Sequence, residues 1–261
     1  MNLAIHKFGL HAAMFVCLFL GMANGALAAA TAGVVVNMDG SVVAKGTDEL
    51  LRSLALGSKV LSGDVLFTGK DSHARIKFSD GGVMMLKPHA QFKIDNFSFD
   101  EKQPKEDHAV FTLIKGGMRA VSGLIGHRGD ADSYAVKTRA ATIGIRGTDY
   151  GLQLCKEDCA DIPTPDGIPL EDGLHVDVTH GEVLVKNAAG SMSVRAGEFS
   201  FVRDSETPVP PVEIPASRGT SVELPAAMTL DRVRGEGNGK GHGLGGAGGA
   251  VPQTPNTCPV N

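Results

Sequence analysis

Residues 141–154, "ATIGIRGTDYGLQL", decide how this chain is to be read. Counted in twos, Ala141, Ile143 and Ile145 share one face, the alternation of a half-buried strand. Past Gly147 the apolar residues are Tyr150, Leu152 and Leu154, on the opposite parity. A parity change inside one strand needs an odd insertion, which a β-bulge or sharp bend supplies. Gly147 tolerates the positive φ that such a bulge often uses. Arg146 then stands at a corner, where its donors tie neighbouring carbonyls or an acid; Asp149 and Asp64 are the expected partners. On this reading Arg146 serves shape, as a clamp, and not anion binding.

The same period runs on either side. "HARIKFSD" (73–80) sets Ala74, Ile76 and Phe78 on one face, with His73, Arg75 and Lys77 on the other. "LHVDVT" (174–179) points Leu174, Val176 and Val178 inward, leaving His175 and Asp177 on an exposed polar face. Turn signals separate such runs: Asp39-Gly40, Asp80-Gly81-Gly82, Gly116-Gly117, Ala189-Gly190. "TDELLRSLAL" (47–56) reads as the one helix of the folded region, with Thr47 as N-cap and Leu50, Leu51 and Leu54 on one side. Residues 33–46 and 181–197 share a scheme of glycine, valine strand, turn, second strand and closing glycine, which reads as a reused hairpin. The fold class is all-β: a β-roll or irregular β-helix, or alternatively a sandwich of short strands.

Around this core lie two different segments. Lys7, the apolar run Ala12–Leu20 and the small-x-small triplet Ala26-Leu27-Ala28 read as a secretory signal peptide, residues 1–28, cut after Ala28. The run is too short and too interrupted for a membrane anchor, which needs about 20 apolar residues. Residues 30–203 form the β domain. From 204 to 261 the chain turns proline- and then glycine-rich ("TPVPPVEIPASRG", "GEGNGKGHGLGGAGG"), which predicts a disordered tail with room for a short helix near Ala226–Val233. The formal charge is −4, and −5 once Lys7 leaves with the leader. An acidic chain carries no electrostatic footprint for nucleic acid.

Three cysteines remain after cleavage. Cys155 and Cys159 bracket "CKEDC", and in an oxidising compartment a local disulfide is favoured over a zinc pair, since no second ligand pair stands at the right spacing. Cys258 is left over in the tail.

The ordered series "GSKVLSGDVLFTGKDSHARIKFSDGGVMMLKPHAQFKI", "FTLIKGGMRAV" and "VKTRAATIGIRGTDYGL" resembles the FecR-domain family. Its hallmark positions are Gly57, Gly63-Asp64, Thr68, Asp80-Gly81, Pro88, Gly116-Gly117 and Ile145-Arg146-Gly147-Thr148, over roughly residues 33–152. The resemblance implies a periplasmic all-β module which, in its best-known members, belongs to a membrane protein relaying receptor occupancy to a cytoplasmic sigma factor. This chain departs from that plan. Its amino terminus reads as a leader and the mature part has no transmembrane helix, so the resemblance supports the module and not the relay.

The sequence carries no G-x-S-x-G, no H-E-x-x-H and no P-loop. His175, Asp177 and His180 read as a polar face, Met84-Met85 as core, and "GDADS" (129–133) as a calcium loop lacking its later acid. "RGD" (128–130) is a three-letter coincidence. The acidic loop Lys156–Asp172 is a solvated insertion or a binding loop. The expectation is an exported, non-enzymatic module without cofactor or metal, docking an envelope or membrane sensor protein. A glycan-binding module is the alternative, short of aromatics since only Tyr134 and Tyr150 serve; an enzyme using Asp158, Asp161, Asp166, Glu171 and Asp172 ranks below it.

Overall fold

The alternating runs become strands wherever one face finds apolar neighbours. The computed structural model describes residues 29–128, 132–162 and 169–209. The leader, the tail beyond 209 with its expected helix, Cys258, and most of "RGD" and "GDADS" lie outside the described residues. In chain order the strands are β1 (Thr31–Asp39), β2 (Val42–Lys45), β3 (Leu51–Ser53), β4 (Lys59–Leu61), β5 (Val65–Thr68), β6 (His73–Phe78) and β7 (Val83–Leu86). They continue as β8 (Gln91–Ser98), β9 (His108–Val121), β10 (Tyr134–Lys137), β11 (Thr142–Cys155), β12 (Gly173–Asn187), β13 (Gly190–Arg195) and β14 (Phe199–Val202). Helix, among the described residues, is confined to one 3-10 turn (Pro104–Glu106) and the five-residue α1 (Leu124–Arg128).

All strands join one hydrogen-bonded sheet of 14 strands. That sheet doubles back on itself because β9, β11 and β12 change partners midway. The first half of β9 pairs with β8 and β10, its second half with β7 and β11. The first half of β11 pairs with β10 and the end of β12, its second half with β9 and the start of β12. One layer therefore runs β13-β12-β11-β10-β9-β8-β5-β2-β3, and the other β14-β12-β11-β9-β7-β6-β1-β4. Only β9 and β10 run parallel. Stacked β-helical coils would be parallel throughout, so of the arrangements left open the folded-over sandwich is the one formed.

The bend at 141–154 is real. Register slips between Arg146 and Asp149, Gly147 has φ +61°, and Gly181 opposite it has φ +78°. A Cβ on Gly181 would stand 2.4 Å from the Gly147 carbonyl oxygen, so β11 and β12 turn the corner together only while residue 181 has no side chain. Ile143 before the bend and Tyr150, Leu152 and Leu154 after it are all buried, as the parity switch requires.

The core fills the space between the layers. Phe78 on β6 lies 5.2 Å, centroid to centroid, from both Phe97 on β8 and Phe111 on β9. Tyr134 on β10 and Tyr150 on β11 share a hydrogen bond of 2.8 Å across the gap, which satisfies both buried hydroxyls. Each such ring stabilises the fold by about 1.5–3 kcal/mol through apolar burial.

Two expectations are corrected. Residues 47–56 are not helical: Glu49 (φ +64°) closes a turn on Gly46, the Asp48 carboxylate accepts the Leu50 N–H, and 51–53 pair with β2 as β3. Glycine before the segment and an Asp that bonds its own backbone outweigh leucine spacing. Residues 33–46 are not a hairpin either. β1 pairs with β4 and β6, whereas β2 pairs with β3 and β5, so the Asp39-Gly40 turn carries the chain between layers. Only 181–197 forms the expected hairpin, as β12–β13.

Candidate functional site

The motif residues are spread through the fold as ties on its turns. Gly63 has φ +92°, and the Asp64 carboxylate beside it, 1% exposed, accepts the Leu61 N–H at 2.8 Å and meets Arg52 Nη2 at 2.5 Å. The Thr68 hydroxyl accepts the Ala90 N–H (2.8 Å) and donates to the Lys87 carbonyl (2.6 Å), joining β5 to the β7–β8 turn. Asp80 accepts the Gly82 N–H at 2.9 Å while Gly81 turns with φ +85°. Burial pushes the Asp80 carboxyl upward, opposed by the Gly82 and Ile125 N–H bonds and aided by the Asp107 charge. The Thr148 N–H donates to Ser122 Oγ, and its hydroxyl donates to the Glu182 carbonyl. Arg146 departs from expectation: it is exposed, and no side-chain bond or ion pair to Asp149 or Asp64 forms. Those acids belong to Arg119 and Arg52 instead.

What the structure does gather lies on the outer face of the second layer. Cross-strand register aligns Arg75 (β6), Met85 (β7), Arg119 (β9), Gly151 (β11), Asp177 (β12) and Phe199 (β14) in one row. Lys87, Gly117, Gln153, His175 and Phe201 occupy the next row. Arg119 is the hub. Its Nη2 donates to Thr179 Oγ1 and stands 2.8 Å from Asp149 Oδ1, an ion pair without hydrogen-bond alignment, while Nη1 lies 3.6 Å from Asp177 Oδ2. Desolvation raises the Asp177 carboxyl to about 6, with the Asp149 charge adding to it and Arg119 and Lys87 opposing it. Lys87 is pushed down by burial, with Asp177 pulling it back.

The expected exposed polar face of β12 is thus corrected. His175 is buried, stacked 4.8 Å from Phe201 and 5.9 Å from Phe199. Its Nε2–H donates to the Glu171 carbonyl at 2.8 Å, which leaves Nδ1 bare and buried, and burial holds the ring neutral by lowering its pKa. The cover comes from β14 and from the loop after β11, neither of which strand alternation reveals.

That loop is closed by the Cys155–Cys159 disulfide. Gln153 Nε2 reaches Cys159 Sγ at 3.6 Å, Lys115 pairs with Asp158 at 3.3 Å, and Asp172 accepts the Glu157 N–H at 2.7 Å. Arg139 donates to the Cys155 carbonyl. Of the loop acids proposed for catalysis, Asp158, Glu171 and Asp172 are engaged in such closures, and Asp166 lies outside the described residues. Tyr134 and Tyr150, the aromatics a glycan platform needs, are core residues. Among the described residues, no group of three His, Cys, Asp or Glu is placed to hold a metal ion. No described helix is long and apolar enough to cross a membrane. Arg119, Lys87 and Gln153 were missed in the sequence. The only trace of them was outward parity on strands whose inward partners are Met118, Leu86 and Leu152.

Residues 64–162 match the family model described as FecR protein. This stretch is a FecR domain. It takes in β5 to β11 and the disulfide, so the bend, the buried Asp80 and the hub arginine all fall within it. Among solved structures, two crystal structures of a candidate anti-sigma factor from Parabacteroides distasonis ATCC 8503 are similar. They show 15% and 16% identity and TM-scores of 0.42 and 0.43, covering 57% of this chain and 59% of theirs. This chain thus spans somewhat more than half the length of those proteins. A cell surface anchoring domain is similar over 23% of this chain and 80% of its own, at 26% identity and a TM-score of 0.23. No curated protein matches.

Proposed function

We propose that the protein is an exported, non-enzymatic FecR-domain module that binds an envelope or membrane sensor protein and acts in signalling or regulation. The observation that carries this reading is the FecR match over residues 64–162. The leader-like residues 1–28 support export to the periplasm or beyond, and the Cys155–Cys159 bond fits an oxidising compartment. The ionisable groups of the outer face support binding over turnover. Arg119 is committed to two acids and a threonine, and His175 is stacked and neutral. With both tyrosines in the core, the glycan-platform alternative loses its aromatic surface.

The test is chemical crosslinking of intact envelopes carrying the tagged full chain, followed by purification and mass spectrometry. The reading expects the same membrane or envelope protein in every replicate. Recovery of no reproducible partner contradicts it.

A further inference from the structure

We propose that the free edge of β3 is an acceptor for an extended apolar strand of the partner protein, added antiparallel to Leu51–Ser53. This rests on the binding role above and specifies the chemistry of the partner.

The backbone phase of the hairpin sets the geometry. Gly46 N–H bonds to the Leu50 carbonyl and Leu54 N–H to the Val42 carbonyl, with Ala44 opposite Arg52. Even-numbered residues 50, 52 and 54 therefore turn their backbone groups toward β2. Leu51 and Ser53 turn theirs away, and among the described residues β3 pairs with no strand but β2. Two N–H and two C=O groups stand in a row at the end of the first layer.

Three exposed leucines stand at this edge, beside the charged Lys45, Glu49 and Arg52. Leu50, Leu51 and Leu56 are 64%, 70% and 72% exposed, the most open large hydrophobic residues described. Leu50, the residue just before β3, keeps the hairpin bond to Gly46 through its carbonyl, so its side chain and that of Leu51 leave the backbone on opposite sides; Leu56 lies in the turn before β4. An incoming strand would set alternate side chains against Leu51 on one face and Leu50 on the other. Fixed support lies behind. Arg52 is held by Asp64 at 2.5 Å and reaches the Lys59 carbonyl, tying β3 to β4 before any partner arrives. Natural edges are blunted by shortness, charge, proline or a covering strand; β3 is short and its one charge, Arg52, is drawn to Asp64, while among the described residues neither proline nor a covering strand guards Leu51–Ser53.

Area argues against a second copy as the occupant. The three leucines offer on the order of 300 Å², whereas a stable dimer buries about 800 Å² per partner. A three-residue strand pairing with its own copy falls short. An extended segment of a partner gains main-chain bonds from Leu51 and Ser53 and can continue past both ends of β3 over Leu50 and Leu56. That is the strand-addition mode suited to transient recognition.

The experiment uses the full chain and a fluorescein-labelled ten-residue peptide of alternating valine and threonine, followed by anisotropy. Two variants are compared with wild type. Ser53→Pro deletes an outward N–H and leaves the β2 bonds untouched, as edge positions allow; Leu51→Lys places a charge on the open edge without altering the backbone. The inference expects saturable binding that both variants weaken at least tenfold while circular dichroism and Tm stay as in wild type; if Ser53→Pro unfolds, Leu51→Lys alone decides. Absence of binding up to about 1 mM peptide, or equal binding by folded Leu51→Lys, overturns it. So does wild-type sedimentation as a dimer that Leu51→Lys makes monomeric, since the edge would then serve a second copy. Failure here leaves the FecR binding role standing. Failure of envelope crosslinking, with peptide binding intact, removes that role and keeps the edge.

Discussion

Asp177 carries a consequence that can be measured residue by residue. Its carboxyl titrates at about 6 in the fold against 3.8 when free. The protonated form therefore favours the folded state: this contribution is complete below about pH 3.8 and is lost as pH rises through 6. The full span is worth at most about 3 kcal/mol. Asp177→Asn mimics the protonated side chain, so urea unfolding at pH 5 and pH 7.5 is expected to show the variant gaining on wild type as pH rises. A gap that narrows contradicts the assignment. Asp64→Ala acts oppositely at any pH near neutrality. It strips the acceptor from the Leu61 N–H and the partner from Arg52, and a loss of about 2–3 kcal/mol is expected by the same measurement. The sequence showed that 146–148 must bend, because parity is local. It did not show which acid Arg146 would meet, because ion pairs join distant strands. The expected pairing of Arg146 with Asp149 or Asp64 does not form; Asp64 meets Arg52 and Asp149 meets Arg119.

At the scale of elements, the paired bend of β11 and β12 is the feature least tolerant of change. Gly181→Ala would place a Cβ against the Gly147 carbonyl in a left-handed backbone, and a loss well above about 1 kcal/mol is expected, visible as a lowered Tm. The disulfide is expected to matter less. It closes a small ring, so Cys155→Ser with Cys159→Ser should cost about 2 kcal/mol or less on the chain-entropy model. The β12 side-chain pattern was read as one covered and one open face because alternation reports only polarity. That His175 is covered follows from Phe199 and Phe201 packing against it and from the Glu171 carbonyl that accepts its N–H, contacts that strand alternation does not signal. The misread helix at 47–56 has the opposite cause: the signal was local, in Gly46 and Asp48, and leucine spacing was weighed above it.

For the whole molecule, a doubled-over, largely antiparallel sheet carries a FecR domain, and the proposed export goes with its oxidised loop. The all-β class and the FecR resemblance are legible because alternation, turn residues and the ordered motifs agree along some 120 residues, at roughly 33–152. The doubling itself is not, since nothing in a strand's sequence says that its two halves take different partners. The most direct measurement is intact-mass spectrometry of the protein from osmotic-shock and cytosolic fractions of cells expressing the full gene. The account predicts a chain in the shock fraction that begins at Ala29 and lacks two hydrogens relative to its fully reduced mass. A chain retaining residues 1–28, with Cys155 and Cys159 reduced and confined to the cytosol, would contradict it.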